Sequence, residues 1–310
     1  MTRLSAIRPV PTGAGFQVFA LILLGTLTLS GMHALVRFVS HDIDPFEIAF
    51  FRNLFGFLIF IPWLARRGIR VLRTDKFGLH LLRGSINACS MSCWFFGLSL
   101  TPLAEATALI STMPIFVALG ASMYLGEKVG AARWVATALG LIGTLVIVRP
   151  GASTLSLGFV LIMGSCLFAT ASRIFAKELS DTDGAATIVA WVTIIMTPIT
   201  LVPALFFWTW PDWHSLIWLV AIGVLGTTSH VCIVRAYKWL DVSLVEPFLF
   251  LRLLWAAIIG YLLFAEIPTV VTWIGGAIIG GAIVYLALHE YAARGARRRA
   301  AAAADALPAE

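Results

Sequence analysis

Ten apolar runs, each about 17–24 residues long, constrain this chain more than any other feature of it. They fall at roughly 16–38, 46–64, 80–100, 103–124, 132–149, 156–178, 186–208, 216–239, 244–264 and 268–288. As helices rising about 1.5 Å per residue, runs of that length cross a ~30 Å hydrocarbon layer. They are continuously apolar rather than alternating, which argues against barrel strands, and lipid admits no other spanning structure. With 60% hydrophobic and 12% charged residues, an ordinary soluble domain is excluded. The expectation is an all-α membrane protein with ten transmembrane helices.

The net charge of +6 raises the question of nucleic acid, and its distribution answers it. With the N-terminus placed in the cytoplasm, fifteen Lys and Arg residues fall on the cytoplasmic side. They include Arg66, Arg67, Arg70, Arg73 and Lys76 in one loop and Arg294, Arg297, Arg298 and Arg299 in the tail. The opposite side holds Arg149 alone. The positive-inside rule therefore places both termini in the cytoplasm of a multi-pass protein, expected in the bacterial inner membrane. The long basic loop is expected to rest on lipid headgroups, and no nucleic-acid partner is expected. Six arginines remain within or at the edges of spans: Arg37, Arg52, Arg83, Arg173, Arg235 and Arg252.

Several classes drop out at once. The first span is too long for a cleaved leader, lacks a small-residue cleavage site and is followed by nine more. Cys89, Cys93, Cys166 and Cys232 all lie inside apolar runs, so disulfides are not expected. No G-x-x-x-x-G-K-[ST] segment exists and the loops are short, which excludes ATP-driven transport by this chain alone. His289-Glu290 lacks the second histidine of a zinc hydrolase and no G-x-S-x-G is present. Neither a cofactor nor a metal is called for, and an enzyme is not expected.

The chain also repeats itself. Thr26, Ser30, His33 and Arg37 lie within about 60° of arc on the first span. Cys166, Thr170, Arg173 and Lys177 lay down a similar stripe 140 positions later, and Trp134 is answered by Trp273 139 positions later. Two sets of five spans follow, at 16–150 and 151–288, flanked by tails at 1–15 and 289–310. Because five is odd, the second set lies upside down relative to the first, an arrangement that suits alternating access.

Particular residues carry a resemblance at this point. Phe46-Glu-Ile-Ala-Phe-Phe-Arg52-Asn-Leu-Phe-Gly56, Leu82-Arg83-Gly84, Pro102-Leu-Ala-Glu105, Pro114-Ile-Phe, Leu125-Gly-Glu127 and Arg133-Trp134 stand in order through the first half. Arg235-Ala-Tyr237, Glu246-Pro247 and Ala265-Glu266 stand in the second. Together they resemble the EamA family of the drug/metabolite transporter superfamily over residues 18–288. Within it, they are most similar to a branch containing bacterial S-adenosylmethionine and riboflavin transporters. The second half departs from the first in having no proline to match Pro114 and alanine at 265.

The candidate binding residues come from polar groups that lipid would penalise. A cation near the bilayer centre costs about 2.5–3.5 kcal/mol on insertion scales, a cost that a watered cavity removes. His33 is read as cavity-lining, with an interhelical hydrogen-bond seam as the plainer alternative. Arg173 repeats its position. On the third span Arg83 reads as an interfacial anchor, while Asn87 and Trp94 lie deeper and suit a planar ring with polar edges. Arg52 lies deep for snorkelling, and Arg252 lies close to the midplane between Phe248 and Trp255. Glu246 is about 120° around the helix from Arg252, so that cation needs a partner from elsewhere. Pro114, after Thr112, breaks the fourth span and frees a carbonyl near Ile110 for water, hydroxyl or cargo. His33, Glu105, His230 and Glu246 are the candidates for proton coupling. Gly276 and Gly280 read as a G-x-x-x-G packing pair.

These residues point to a secondary transporter of a small organic metabolite with a ring system and acceptor groups. Riboflavin, S-adenosylmethionine and aromatic amino acids all fit that description. Protons or an exchanged solute are the candidate coupling partners. The rival classes are an intramembrane enzyme on lipid or peptide and a passive channel.

Overall fold

The computed structural model describes residues 14–40, 42–100, 109–148, 156–264 and 269–305, with side chains excluded at 14–15, 98–99, 148, 264 and 294–305. The first-half helices are α1 (Ala14–Val39), α2 (Pro45–Leu58), α3 (Phe60–Arg67), α4 (Phe77–Leu100), α5 (Met113–Gly120) and α6 (Ala131–Val148). The second half follows with α7 (Leu157–Ser180), α8 (Ala185–Ala204), α9 (Trp213–Tyr237), α10 (Val242–Val245), α11 (Leu251–Phe264) and α12 (Val270–Asp305). No strand occurs among the described residues.

Local chemistry sets the boundaries. Asp44 caps α2 by accepting from the Phe46 amide at 2.8 Å, with Pro45 pre-set for the first turn. Ser156 and Asp212 cap α7 and α9 in the same way. Pro114 occupies the first turn of α5, and a π-helical stretch at Ala121–Leu125 ends at Gly126 in the left-handed region (φ 68°). The ninth run is broken too. Pro247 lies in a 3-10 stretch, Glu246–Phe250, between α10 and α11, so the second half has its own proline break without a counterpart to Pro114.

Among the described residues, seven helices are long and apolar enough by themselves to cross a membrane, where ten were expected over the whole chain. In α4, His80, Arg83, Asn87, Ser90 and Ser92 dilute an otherwise apolar helix of 24 residues. The described part of the fourth run spans only Met113–Leu125, and the fifth counts as Ala131–Ile147. The tenth run does not stop near 288: α12 continues as helix to Asp305.

Packing follows the repeat. Exchanging the two halves maps α1 against α9 onto α7 against α4, and α1 against α11 onto α7 against α5. It maps α2 against α9 onto α8 against α4, and it leaves the α2–α8 and α6–α12 pairs in place. The correspondence reaches single atoms. Ser90 Oγ donates to the Ser165 carbonyl (2.9 Å), and Ser229 Oγ donates to the Gly25 carbonyl (2.7 Å). Gly84 presses on Ile195 as Gly223 presses on Phe55, each leaving only 2.6 Å for an added β-carbon. Each stripe turns inward: Thr26 and Cys166 are fully buried, and Ser30 and Thr170 nearly so.

The α6–α12 seam corrects the G-x-x-x-G reading. A β-carbon at Gly275 falls 2.6 Å from the Gly143 carbonyl, and one at Gly143 falls 2.8 Å from the Gly275 carbonyl. Gly280 has nothing within 4 Å, and Gly276 meets only the end of Leu254. The close pair thus sits one residue earlier than the motif suggested, because the face of α12 turned to α6 is that of Gly275, Ile279 and Leu286. We predict that Gly275→Val lowers thermal stability in detergent by about 1–3 kcal/mol. Gly280→Ala should leave the melting midpoint within error. Equal midpoints for Gly275→Val and wild type would remove this seam from the account.

Candidate functional site

Two narrow crevices lie inside the bundle where polar faces converge. The first is bounded by Arg52 and Asn53 of α2, Thr193 and Met196 of α8, and Thr227 and His230 of α9. The second is bounded by Pro114 of α5, Arg173 of α7, Glu246 and Phe250 of the 3-10 stretch, and Arg252 of α11. Each holds about 10 Å³ of free space, far below the ~300–1,000 Å³ of pockets that enclose a drug-sized ligand, so the bundle is nearly closed in this conformation. His33 follows Ile22, Thr26 and Ser30 on one face of α1, yet its side chain is exposed and it lines neither crevice.

The cations are held in quite different ways. Arg83 is 3% exposed and donates to the carbonyls of Ser172 and Ile188, each at 3.2 Å. It is a buried staple between α7 and α8, not the interfacial anchor its position near a span end suggested. Arg173 pairs with the fully enclosed Glu246, whose second oxygen accepts from the Tyr237 hydroxyl at 3.2 Å. Arg52 is half-buried, with only the Met32 sulfur within reach of its Nε, at 3.2 Å. No described residue makes a hydrogen bond or ion pair to the half-buried Arg252 guanidinium. Its backbone is fixed instead, because Ser30 Oγ donates to the Arg252 carbonyl at 2.9 Å and Trp255 Nε1 donates to Thr26 Oγ1 at 3.1 Å.

The structure thus gathers Arg52 and His230 about the first crevice and Pro114, Arg173, Glu246 and Arg252 about the second, with His33 outside both linings. Asn87 stands one contact away, donating to the Met196 sulfur at 3.0 Å. Trp255 is turned toward α1, and Trp94 is half-buried on α4 outside both crevice walls. Beside the break at Pro114, Thr112 Oγ1 donates to the Leu109 carbonyl at 2.6 Å, and Cys166 Sγ approaches the same oxygen at 3.7 Å. Glu105 lies outside the described residues. Asn53 is a wall residue that the sequence reading passed over, and its neighbour Arg52 was the available signal. Tyr237 was also missed, since its link to Glu246 spans separate helices.

Polar groups stand apart from the pore axis as well. Glu127 accepts from the amides of Val242 (3.0 Å) and Ser243 (3.1 Å) and from Ser243 Oγ (2.6 Å), capping α10. Arg133 joins the same cluster through Asp241 (3.0 Å) and Glu290 (3.1 Å). The basic loop is pinned rather than loose, with Thr187 Oγ1 on the Val71 carbonyl and Trp191 Nε1 on that of Leu72.

A duplicated bundle of membrane-length helices around a cationic interior is the architecture of a multi-pass membrane carrier. The chain belongs to the EamA-like transporter family, whose profile matches residues 17–149 and again 156–288. It is 33% identical to the riboflavin transporter of Vibrio cholerae, over 81% of this chain and 86% of that one. It is 25% identical to the S-adenosylmethionine uptake transporter of Rickettsia felis, over 92% of this chain and 95% of the relative. The pseudopaline exporter of Pseudomonas aeruginosa is 29% identical over 86% of this chain and 94% of the exporter. A solved crystal structure shares the fold with a TM-score of 0.75 at 20% identity, covering 87% of this chain and 96% of the other.

The contrast among the arginines makes a prediction. Arg83→Met removes two buried, charge-assisted hydrogen bonds that join α4 to α7 and α8 and should lower stability by about 1–3 kcal/mol in a detergent melt, leaving cargo affinity in the folded fraction unchanged. A loss of affinity with an unaltered melt would move Arg83 from scaffold to site.

Proposed function

We propose that this protein is a secondary carrier that moves a small, ring-bearing, acceptor-rich metabolite across the bacterial inner membrane by alternating access between two inverted five-helix halves. The observation that carries this reading is the pair Arg52 and Arg252, neither of which has a carboxylate partner among the described residues. An interior guanidinium without a counter-ion presents up to five N–H donors to whatever enters. Water meets that demand in the empty carrier, and carbonyl, imide or anionic oxygens meet it in the loaded one.

Charge ranks the cargo classes named by the relatives. S-adenosylmethionine carries a sulfonium as well as an ammonium group and is a net cation, which Arg52 and Arg252 would repel. A flavin ring is neutral and rimmed with carbonyl and imide acceptors, and its polyol chain can both donate and accept. The cationic interior thus supports a riboflavin-like cargo over S-adenosylmethionine, in line with the higher identity to the riboflavin transporter. The exchange symmetry of the helix contacts supports the inverted arrangement, because two similar halves give two states of similar energy. The first crevice is walled by spans two, seven and eight and the second by spans four, six and nine, so spans two and seven join the wall that the sequence pattern assigned to spans one, three, four, six, eight and nine. His33, His230 and Glu246 are retained as coupling candidates.

Uptake by proteoliposomes tests this reading. Radiolabelled riboflavin should enter with saturation, S-adenosylmethionine should enter far more slowly, and a pH gradient reports whether protons are coupled. Arg252→Ala should insert normally and lose about tenfold or more in flux at subsaturating riboflavin. Efficient S-adenosylmethionine uptake, or unaltered saturation kinetics in Arg252→Ala, would contradict the proposal.

A further inference from the structure

We infer that the crevice between Arg173 and Arg252 is an oxyanion subsite: it takes a phosphate or carboxylate group of the cargo, with Glu246 as a built-in competitor for that position. This deepens the reading above by narrowing a flavin-like cargo to one that bears an acid group; the existence of the subsite does not rest on that reading. The donor count motivates it. Two guanidinium groups with five N–H donors each share this crevice, and the one carboxylate on its wall pairs with Arg173. The second Glu246 oxygen accepts from the Tyr237 hydroxyl, and the Arg252 guanidinium has no hydrogen-bond or ion-pair partner among the described residues.

The site is nearly closed in this conformation. About 10 Å³ of free space holds roughly one water, so a small oxyanion enters as the walls part, and those walls include the apolar side chains of Met113, Pro114 and Phe250. In such surroundings a charge-assisted, two-pronged contact between guanidinium and oxyanion is far stronger than at a surface. Arg252 is also pre-positioned, since its own carbonyl is held by Ser30 and the next turn is tied through Trp255 to Thr26. The first crevice, with Arg52, Asn53 and His230, would then receive the polar edge of the ring while the anionic group occupies the second.

Glu246 gives the arrangement a distinctive signature. Its carboxylate occupies the place an incoming anion would take on Arg173, so neutralising it should strengthen anion binding rather than weaken it. A purely structural ion pair predicts the reverse, because Arg173 would lose its counter-ion and the fold its stability.

The test uses the full-length protein in neutral detergent with zwitterionic lipid, with riboflavin, riboflavin 5′-phosphate and inorganic phosphate as probes. Flavin binding is read by fluorescence quenching and phosphate binding by thermal shift. Wild type should bind riboflavin 5′-phosphate more tightly than riboflavin, and phosphate should raise its melting point. Arg252→Gln should cut the preference by about tenfold or more and abolish the phosphate shift, while Arg252→Lys should retain part of both. Glu246→Gln should enlarge the preference and the shift, which keeps the idea falsifiable even where Arg252→Gln fails to fold. Riboflavin binding intact with no phosphate preference and no shift would overturn the subsite alone. A phosphate shift lost in Arg252→Gln, with neither flavin bound, would uphold the subsite and overturn the flavin reading. Phosphatidylglycerol that stabilises the protein and is not displaced by riboflavin 5′-phosphate would assign the crevice to a lipid headgroup and overturn its role in cargo binding.

Discussion

Guanidinium groups inside an apolar bundle are the constraint around which this molecule is arranged. Each costs about 2.5–3.5 kcal/mol near the centre of a membrane unless something answers it. The chain answers two of them internally: Arg83 with the carbonyls of Ser172 and Ile188, and Arg173 with Glu246. It leaves Arg52 with a methionine sulfur and Arg252 with no described partner. Fully satisfied cations hold helices together, and unsatisfied ones hold open a demand that cargo can meet. Scaffold and site therefore use the same residue type and differ only in what their neighbours supply.

The second organising element is the exchange of contacts between the halves. Ser90 with Ser165 and Ser229 with Gly25 are the same hydrogen bond made twice, and Gly84 and Gly223 are the same close approach made twice. Such pairs give each half a similar set of interactions to break when one side opens, and this similarity keeps two conformations within reach of one another. The symmetry is not complete. Glu246 and its 3-10 stretch have no described equivalent in the first half, and Pro114 has no proline counterpart in the second. Chemistry is thus concentrated on one side of a nearly symmetric frame.

Much of this was legible in the sequence because helical periodicity is local. The stripe of Thr26, Ser30 and His33 and its echo at Cys166, Thr170 and Arg173 depend only on spacing along one helix; Thr26, Ser30, Cys166 and Thr170 are buried and Arg173 lines a crevice, while His33 is exposed. Contacts between helices were not legible. Nothing in the chain order shows that Arg173 meets a carboxylate 73 positions away, or that Arg83, near a span end, lies beneath α7 and α8. The glycine seam failed for a related reason: a G-x-x-x-G pattern describes one helix face, and the orientation of α12 selects Gly275 instead of Gly276. Of the ten runs, seven are matched by membrane-length apolar helices among the described residues, and α4 is not one of them because its polar residues lower its hydropathy.

The inverted duplication can be measured directly by single cysteines at equivalent positions of the two halves, Asp44 and Gly184, 140 residues apart and each preceding a helix of the α2–α8 pair. In a background with Cys89, Cys93, Cys166 and Cys232 replaced, a membrane-impermeant maleimide should label Asp44→Cys from the outer face of intact cells only. Gly184→Cys should react only after the inner face is exposed in inverted vesicles. Labelling of both from the same face would mean that the halves run parallel, and an account built on opposed halves sharing one cationic interior could not stand.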